Sequence, residues 1–229
     1  MTKEEQLKRI VAFKCKDESR SISTVAVKDG VAYATDGKIV VSDRLDEDCE
    51  DVTDGHKKAF PIEAVLYFAS QAEKAERWYA IGCDILKSLE DAFAEKFRSE
   101  RILNDREYAD RYKRVVCPSC GEDLWWDKWD DALVEDPEPK SSVEILDVQL
   151  PVRISFGNES MDVNFAYLFL LRKLFGDVLI SRVYAERNHH YLLGFRTSDW
   201  RTRGVIMPFQ DCHEIHIGGR IVQADEITE

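Results

Sequence analysis

The chain has 229 residues, 44% of them hydrophobic and 33% charged, with a formal net charge of −12. That length holds one large domain or two small ones and buries a real core. The aromatic content of 10% argues against general disorder, and the acidity excludes a uniformly basic nucleic-acid binder.

Residues 3–15 place Leu7, Ile10 and Val11 at helical spacing among Lys3, Lys8, Arg9 and Lys14. This predicts an amphipathic helix, and Thr2 with Glu5 three residues on is a capping-box pattern. Residues 21–45 alternate β-branched runs with Lys28-Asp29-Gly30 and Asp36-Gly37-Lys38. Asp-Gly between such runs predicts a meander of short antiparallel strands. An acidic loop follows over 46–58, and Pro61 opens a helix over 62–75. The pattern from Tyr79 to Arg114 is helical. Residues 115–140 read as loop-rich and acidic, ending at Asp136-Pro137-Glu138-Pro139.

Strand patterns return at 143–148 and 152–156. Phe165–Phe175 predicts an apolar helix stopped by Gly176. Residues 178–180, 191–195 and 204–208 then read as strands. Helix followed by strands therefore occurs near each end. The predicted class is α+β, with repeated helix plus antiparallel strands around a helical, Cys-x-x-Cys-bearing insertion. The division is 1–78, a first half; 79–142, the insertion; 143–210, a second half; and 211–229, a C-terminal tail.

The residues at both ends resemble a known family. Thr24-Val-Ala-Val-Lys-Asp-Gly-Val-Ala-Tyr-Ala-Thr-Asp-Gly-Lys-Ile-Val-Val resembles a strand–turn–strand segment of bacterial DNA polymerase sliding clamps. Phe60-Pro61 before an apolar helix is similar to a clamp strand end and the helix after it. Glu144-Ile-Leu-Asp-Val, Asn164-Phe-Ala-Tyr-Leu-Phe-Leu-Leu-Arg-Lys-Leu-Phe-Gly and Gly204-Val-Ile-Met-Pro-Phe resemble, in order and spacing, the end of a clamp's last domain. The resemblance covers 1–75 and 143–210. An inserted module of this kind fits the divergent clamp-like proteins of bacteriophages.

The resemblance implies a DNA replication processivity factor that holds double-stranded DNA without reading sequence. Such a protein touches phosphates through mobile cations and no base edges. Lys8, Arg9 and Lys14, and Arg172 and Lys173, lie on the two stretches that would line a ring. Solvated helix faces are the alternative. The resemblance also implies an apolar pocket near the last strand that takes peptide motifs of a DNA polymerase or other replication protein, and puts Met207, Pro208 and Phe209 there. Finishing a core strand is the alternative. Only one clamp domain's worth of pattern is present. A ring would need a homo-oligomer or a second domain hidden in the insertion; otherwise the fold persists as a protein-binding module that does not encircle DNA.

Cys117-Pro-Ser-Cys120-Gly121 is half of a zinc knuckle, with a spacing that lets two thiolates meet one tetrahedral ion. Structural zinc, a metal-free degenerate knuckle and a redox dithiol all fit the pair. Trp125, Trp126 and Trp129 read either as an anchor for a protein partner or as a small core around the knuckle. No P-loop, nucleophile elbow or His-Glu-x-x-His is present, so the chain reads as non-enzymatic. The N-terminus has no signal-peptide core, and the longest apolar run, Phe165 to Leu171, is too short to cross a bilayer. A cytoplasmic protein without membrane partners is the expectation. The acidity is local. Residues 43–54 carry a net −6 and residues 122–138 a net −7, so the cationic ends are largely free of it.

Overall fold

The structure, a computed structural model, describes residues 2–46, 50–52, 59–116, 123–128, 132–134, 144–209 and 221–227. The chain forms two compact units. One joins Met1–Leu86 to Pro151–Glu229, and the other is Lys87–Leu150.

The first unit begins with α1 (Lys3–Val11). The expected capping box is present: Thr2 Oγ1 accepts from the Glu5 amide, and Glu5 Oε2 accepts from the Thr2 amide at 2.9 Å. The helix ends at Val11 rather than running to residue 15. The cause is Cys15, whose amide donates to the carbonyls of both Ile22 and Thr35. A chain feeding its backbone into those partners must leave the helix first. For the same reason Ser21–Ser23 turn rather than form strand, and β1 is only Ala26–Lys28.

Asp29-Gly30 links β1 to β2 (Val31–Thr35) with both residues at positive φ, 52° and 72°. That is the two-residue hairpin turn whose twist suits antiparallel strands. β3 (Ile39–Arg44) pairs antiparallel with β2. After it come α2 (Ile62–Gln71) and β4 (Trp78–Ile81). The helical pattern expected from Tyr79 begins only at α3 (Cys83–Arg111), because β4 finds strand partners further along the chain.

In the second unit, β5 (Tyr112–Val116), β6 (Asp123–Asp127) and β7 (Ala132–Val134) form a three-stranded antiparallel sheet in a stretch that reads as loop. Arg111 ion-pairs with the buried Asp127. A 3-10 turn at Ile145–Asp147 replaces the expected strand there. Asp147 accepts from the Glu144 amide, and that local bond competes with a sheet ladder.

The first unit resumes with the hairpin β8 (Pro151–Phe156) and β9 (Glu159–Asn164). α4 (Phe165–Phe175) follows, capped by the Asn164 side chain and ended by Gly176 at φ 83°. The last strands are β10 (Val178–Ala185), β11 (His190–Thr197), β12 (Thr202–Ile206) and β13 (Ile221–Ile227). β13 lies in the stretch expected as a tail. The ten strands of this unit run in the order β1-β2-β3-β12-β11-β10-β4-β13-β8-β9, antiparallel except for β13 on β8.

The seam between the two sequence halves is β3 against β12, from Thr202↔Asp43 to Ile206↔Ile39. Ile39 to Asp43 are all buried, so this strand is covered on both faces. Val40, Val205, Val183 and Leu192 pack on one side with Val65 and Ala69 of α2. Strand alternation turns Ile39, Val41 and Asp43 to the other side. α1 and α4 meet where Arg9 lies over Phe175, and Phe13, just past α1, stacks on the same ring at 6.1 Å.

Candidate functional site

An apolar pocket of about 140 Å³ lies at the seam. Pro61 at the N-cap and Ala64, Val65 and Phe68 of α2 form one wall. Their i, i+3, i+4, i+7 spacing is a single helix face. Thr35 and Gly37 to Val40, from the β2–β3 turn, form a second wall. Val205 and Met207 close the third, with Ile22 at the margin. An apolar cavity of roughly this size accepts a benzene-sized group, so one aliphatic or aromatic side chain fits. Met207 adapts to different shapes because its thioether chain is unbranched.

The turn wall is held by its own polar groups. Asp36 Oδ1 accepts from the Lys38 amide at 2.7 Å and the Ile39 amide at 3.0 Å, while Thr35 Oγ1 accepts from Gly37. Gly37 sits at φ 95°, where a side chain would be strained. The Met207 amide donates to the Lys38 carbonyl at 2.7 Å, fixing strand end to turn.

Met207 lines the pocket. Pro208 and Phe209 follow it half-buried and do not appear among its lining residues, and the Phe209 amide donates to the Asp162 carbonyl instead. The remaining lining residues were not singled out by sequence as a site, although all but Ile22 fall in three of the stretches that carry the family resemblance, those starting at Thr24, at Phe60-Pro61 with the helix after it, and at Gly204.

The cations gather around the ends of α1 and α4. Lys8 is exposed and pairs with Glu4 at 2.8 Å. The Arg9 guanidinium stands 4.3 Å over the Phe175 ring. Arg172 is half-buried and pairs with Asp177 at 3.2 Å. Lys14 is half-buried, and Lys173 is exposed. Lys8, Arg9, Arg172 and Lys173 occupy last helical turns, where positive charge also offsets the helix dipole.

Beyond the seam, Asp43 is buried and accepts from Thr202 Oγ1 at 2.7 Å, with Arg201 at 3.9 Å. Burial pushes its carboxyl above the usual range. Asp199 accepts from the Thr197 hydroxyl and the Arg201 amide, which hold it low. Asp46, against Arg201 and Gln6, is also held low.

Trp125 and Trp126 lie on β6, in register with Arg114 and Val134 and with Lys113 and Leu133 respectively; their side chains, and all of Trp129, lie outside the described residues. So do Cys117 and Cys120. Among the described residues, no group of three or more His, Cys, Asp or Glu is placed to hold a metal, and no helix is long and apolar enough to cross a membrane.

No protein-family model matches the sequence, and no curated protein does. A solved structure of DNA polymerase III subunit beta from Borrelia burgdorferi, in complex with a natural product, is similar at TM-score 0.44 and 11% identity. The match covers 91% of this chain and 62% of that one, so this chain spans less than two thirds of its length.

Proposed function

We propose that this chain is a clamp-like replication factor that acts by binding rather than catalysis. In this reading, the seam pocket captures an apolar side chain of a short peptide from a polymerase or other replication protein. The cation-bearing ends of α1 and α4 rest on DNA phosphates without reading bases. One observation carries the reading: three of the five sequence stretches that resemble sliding clamps, far apart in the chain, line one apolar pocket. A core needs no such vacancy, since protein interiors close-pack.

A second reading, a protein-binding module that does not encircle DNA, draws on the charges. Arg9 and Arg172 already have partners within the fold, which leaves fewer cations for phosphates. The mass in solution separates the two. A self-assembled ring needs an oligomer, and a monomer rejects it.

The pocket is tested by methyl NMR. The chain has three methionines, Met1, Met161 and Met207, so a 13C-methyl-labelled sample reports on the pocket through one of three signals. The probe is the capped peptide Ac-Ser-Gly-Leu-Phe-Gly-amide. Burying one or two apolar side chains contributes about 3–5 kcal/mol, which corresponds to a Kd near 1 mM. The Met207 signal should shift and saturate while Met161 stays put. Ala64 is exposed at the rim, so Ala64→Glu should fold normally and abolish the shift. No Met207 shift at 10 mM peptide rejects the pocket as a peptide site.

A further inference from the structure

Tyr167 does not line the pocket, yet its hydroxyl reaches the pocket wall. It lies on α4, 4% exposed, and donates to Asp36 Oδ2 at 2.7 Å. The other oxygen of the same carboxylate holds the Lys38 and Ile39 amides. The Lys38 carbonyl then accepts the Met207 amide. A continuous line of hydrogen bonds thus runs from α4 through Asp36 and the turn to the strand that closes the pocket.

The turn needs such an anchor. Gly37 and Lys38 are exposed, and Gly37 at positive φ gives the backbone more than one path. Asp36 is only half-buried, so its carboxylate, once released by Tyr167, can turn to water. The core does not need the hydroxyl. A phenylalanine would fill the same buried space without the cost of burying a polar group. Burial together with the Asp36 charge drives the phenol far above its ordinary range, so Tyr167 keeps its proton and remains a donor.

We infer that Tyr167 is a positioning residue for the seam pocket: its hydroxyl fixes Asp36, Asp36 fixes the Gly37–Ile39 wall, and α4 thereby sets the affinity of a pocket it does not touch. The inference rests on the reading of the pocket as a peptide site.

The test uses the full chain with 15N and 13C-methyl-methionine labels, as parent, Tyr167→Phe and Asp36→Asn. Without peptide, Tyr167→Phe should keep the β11 amides protected while the Lys38 and Ile39 amides exchange at least tenfold faster. With Ac-Ser-Gly-Leu-Phe-Gly-amide, it should bind at least fivefold more weakly than the parent. Asp36→Asn keeps one oxygen for the turn amides and offers its NH2 to the Tyr167 oxygen, so it should fall between the two. A merely structural role would lower the melting temperature and leave the affinity of the folded protein unchanged. Exchange rates and affinity within twofold of the parent overturn the inference. A parent that binds no peptide overturns the pocket reading instead; unchanged turn exchange in Tyr167→Phe would then overturn the anchoring as well.

Discussion

Gly204 is where the two sequence halves come closest, and Gly204→Ala tests that seam. Gly204 stands opposite Val41 on one side and Phe195 on the other. A methyl group there would overlap the Val40 carbonyl oxygen and lie 2.9 Å from both the Val40 carbonyl carbon and the Phe195 ring, where ordinary contact begins at 3.4 Å. The first obstacle is backbone, so no rotamer relieves it. The strands must part by at least 0.5 Å, which stretches ladder hydrogen bonds near 2.9 Å past their useful range. Two weakened bonds at about 1 kcal/mol each, plus overpacking of about 1–3 kcal/mol, give about 4 kcal/mol. For a chain of this size that corresponds to a drop of about 10 °C in Tm. Val40 and Val205 both line the pocket, so the Met207 methyl signal should move too. Gly194→Ala is the control. Its tightest contact would be with the Val183 side chain, at 3.3 Å, while the Ser181 carbonyl oxygen stays at an ordinary 3.7 Å, and it should cost about 1 kcal/mol. Calorimetry and methyl NMR on both variants decide the matter. A Gly204→Ala chain that melts within 2 °C of the parent with Met207 unshifted would refute the seam geometry.

Charge and pH give three further predictions. The triple variant Lys8→Glu, Lys14→Glu, Lys173→Glu should bind a fluorescent duplex at least tenfold more weakly at low salt, and the slope of log K against log salt should fall by about 2–3, at 0.9 per phosphate lost. Equal anisotropy curves for parent and variant would remove these lysines from the DNA face. Asp43, raised by burial, favours the fold most below the ordinary carboxylate range and loses that contribution as pH rises through its folded value. Asp43→Asn should therefore raise Tm at pH 7 and have little effect near pH 4. Asp199, held low by the Thr197 hydroxyl and the Arg201 amide, has the opposite sign. Its contribution is present above the ordinary range and fades as pH falls, so Asp199→Asn should lower Tm at pH 7 and not at pH 3. The reverse trend in either melting series would contradict the assignment.

Local chemistry was legible in the sequence. The Thr2–Glu5 box, the Asp29-Gly30 turn and the Gly176 stop each act within a few residues, and each is where the pattern puts it. Elements that depend on distant partners were not. Tyr79–Ile81 reads as the start of a helix by periodicity but joins the strand Trp78–Ile81 because β10 and β13 border it. Residues 221–227, expected as part of a tail, become strand because β4 and β8 border them. The pocket falls between these cases. Each wall is a recognisable local motif, but their convergence needs the β3–β12 pairing, which is invisible in a single sequence.

The β3–β12 seam also bears on how the chain reaches its structure. The hairpins β1–β2–β3 and β10–β11–β12 join neighbours in sequence and can close on a microsecond scale. The seam joins strands from opposite ends of the chain, and β4 must wait for β10 and β13 in the same way. Such long closures are entropically expensive and slow. Until they occur, the strand edges of both hairpins remain unpaired and open to another chain. The acidic segment 43–54 begins within β3, at one of those edges. Its repulsion between copies gives an unfinished chain time to meet its own β12 before it meets a neighbour.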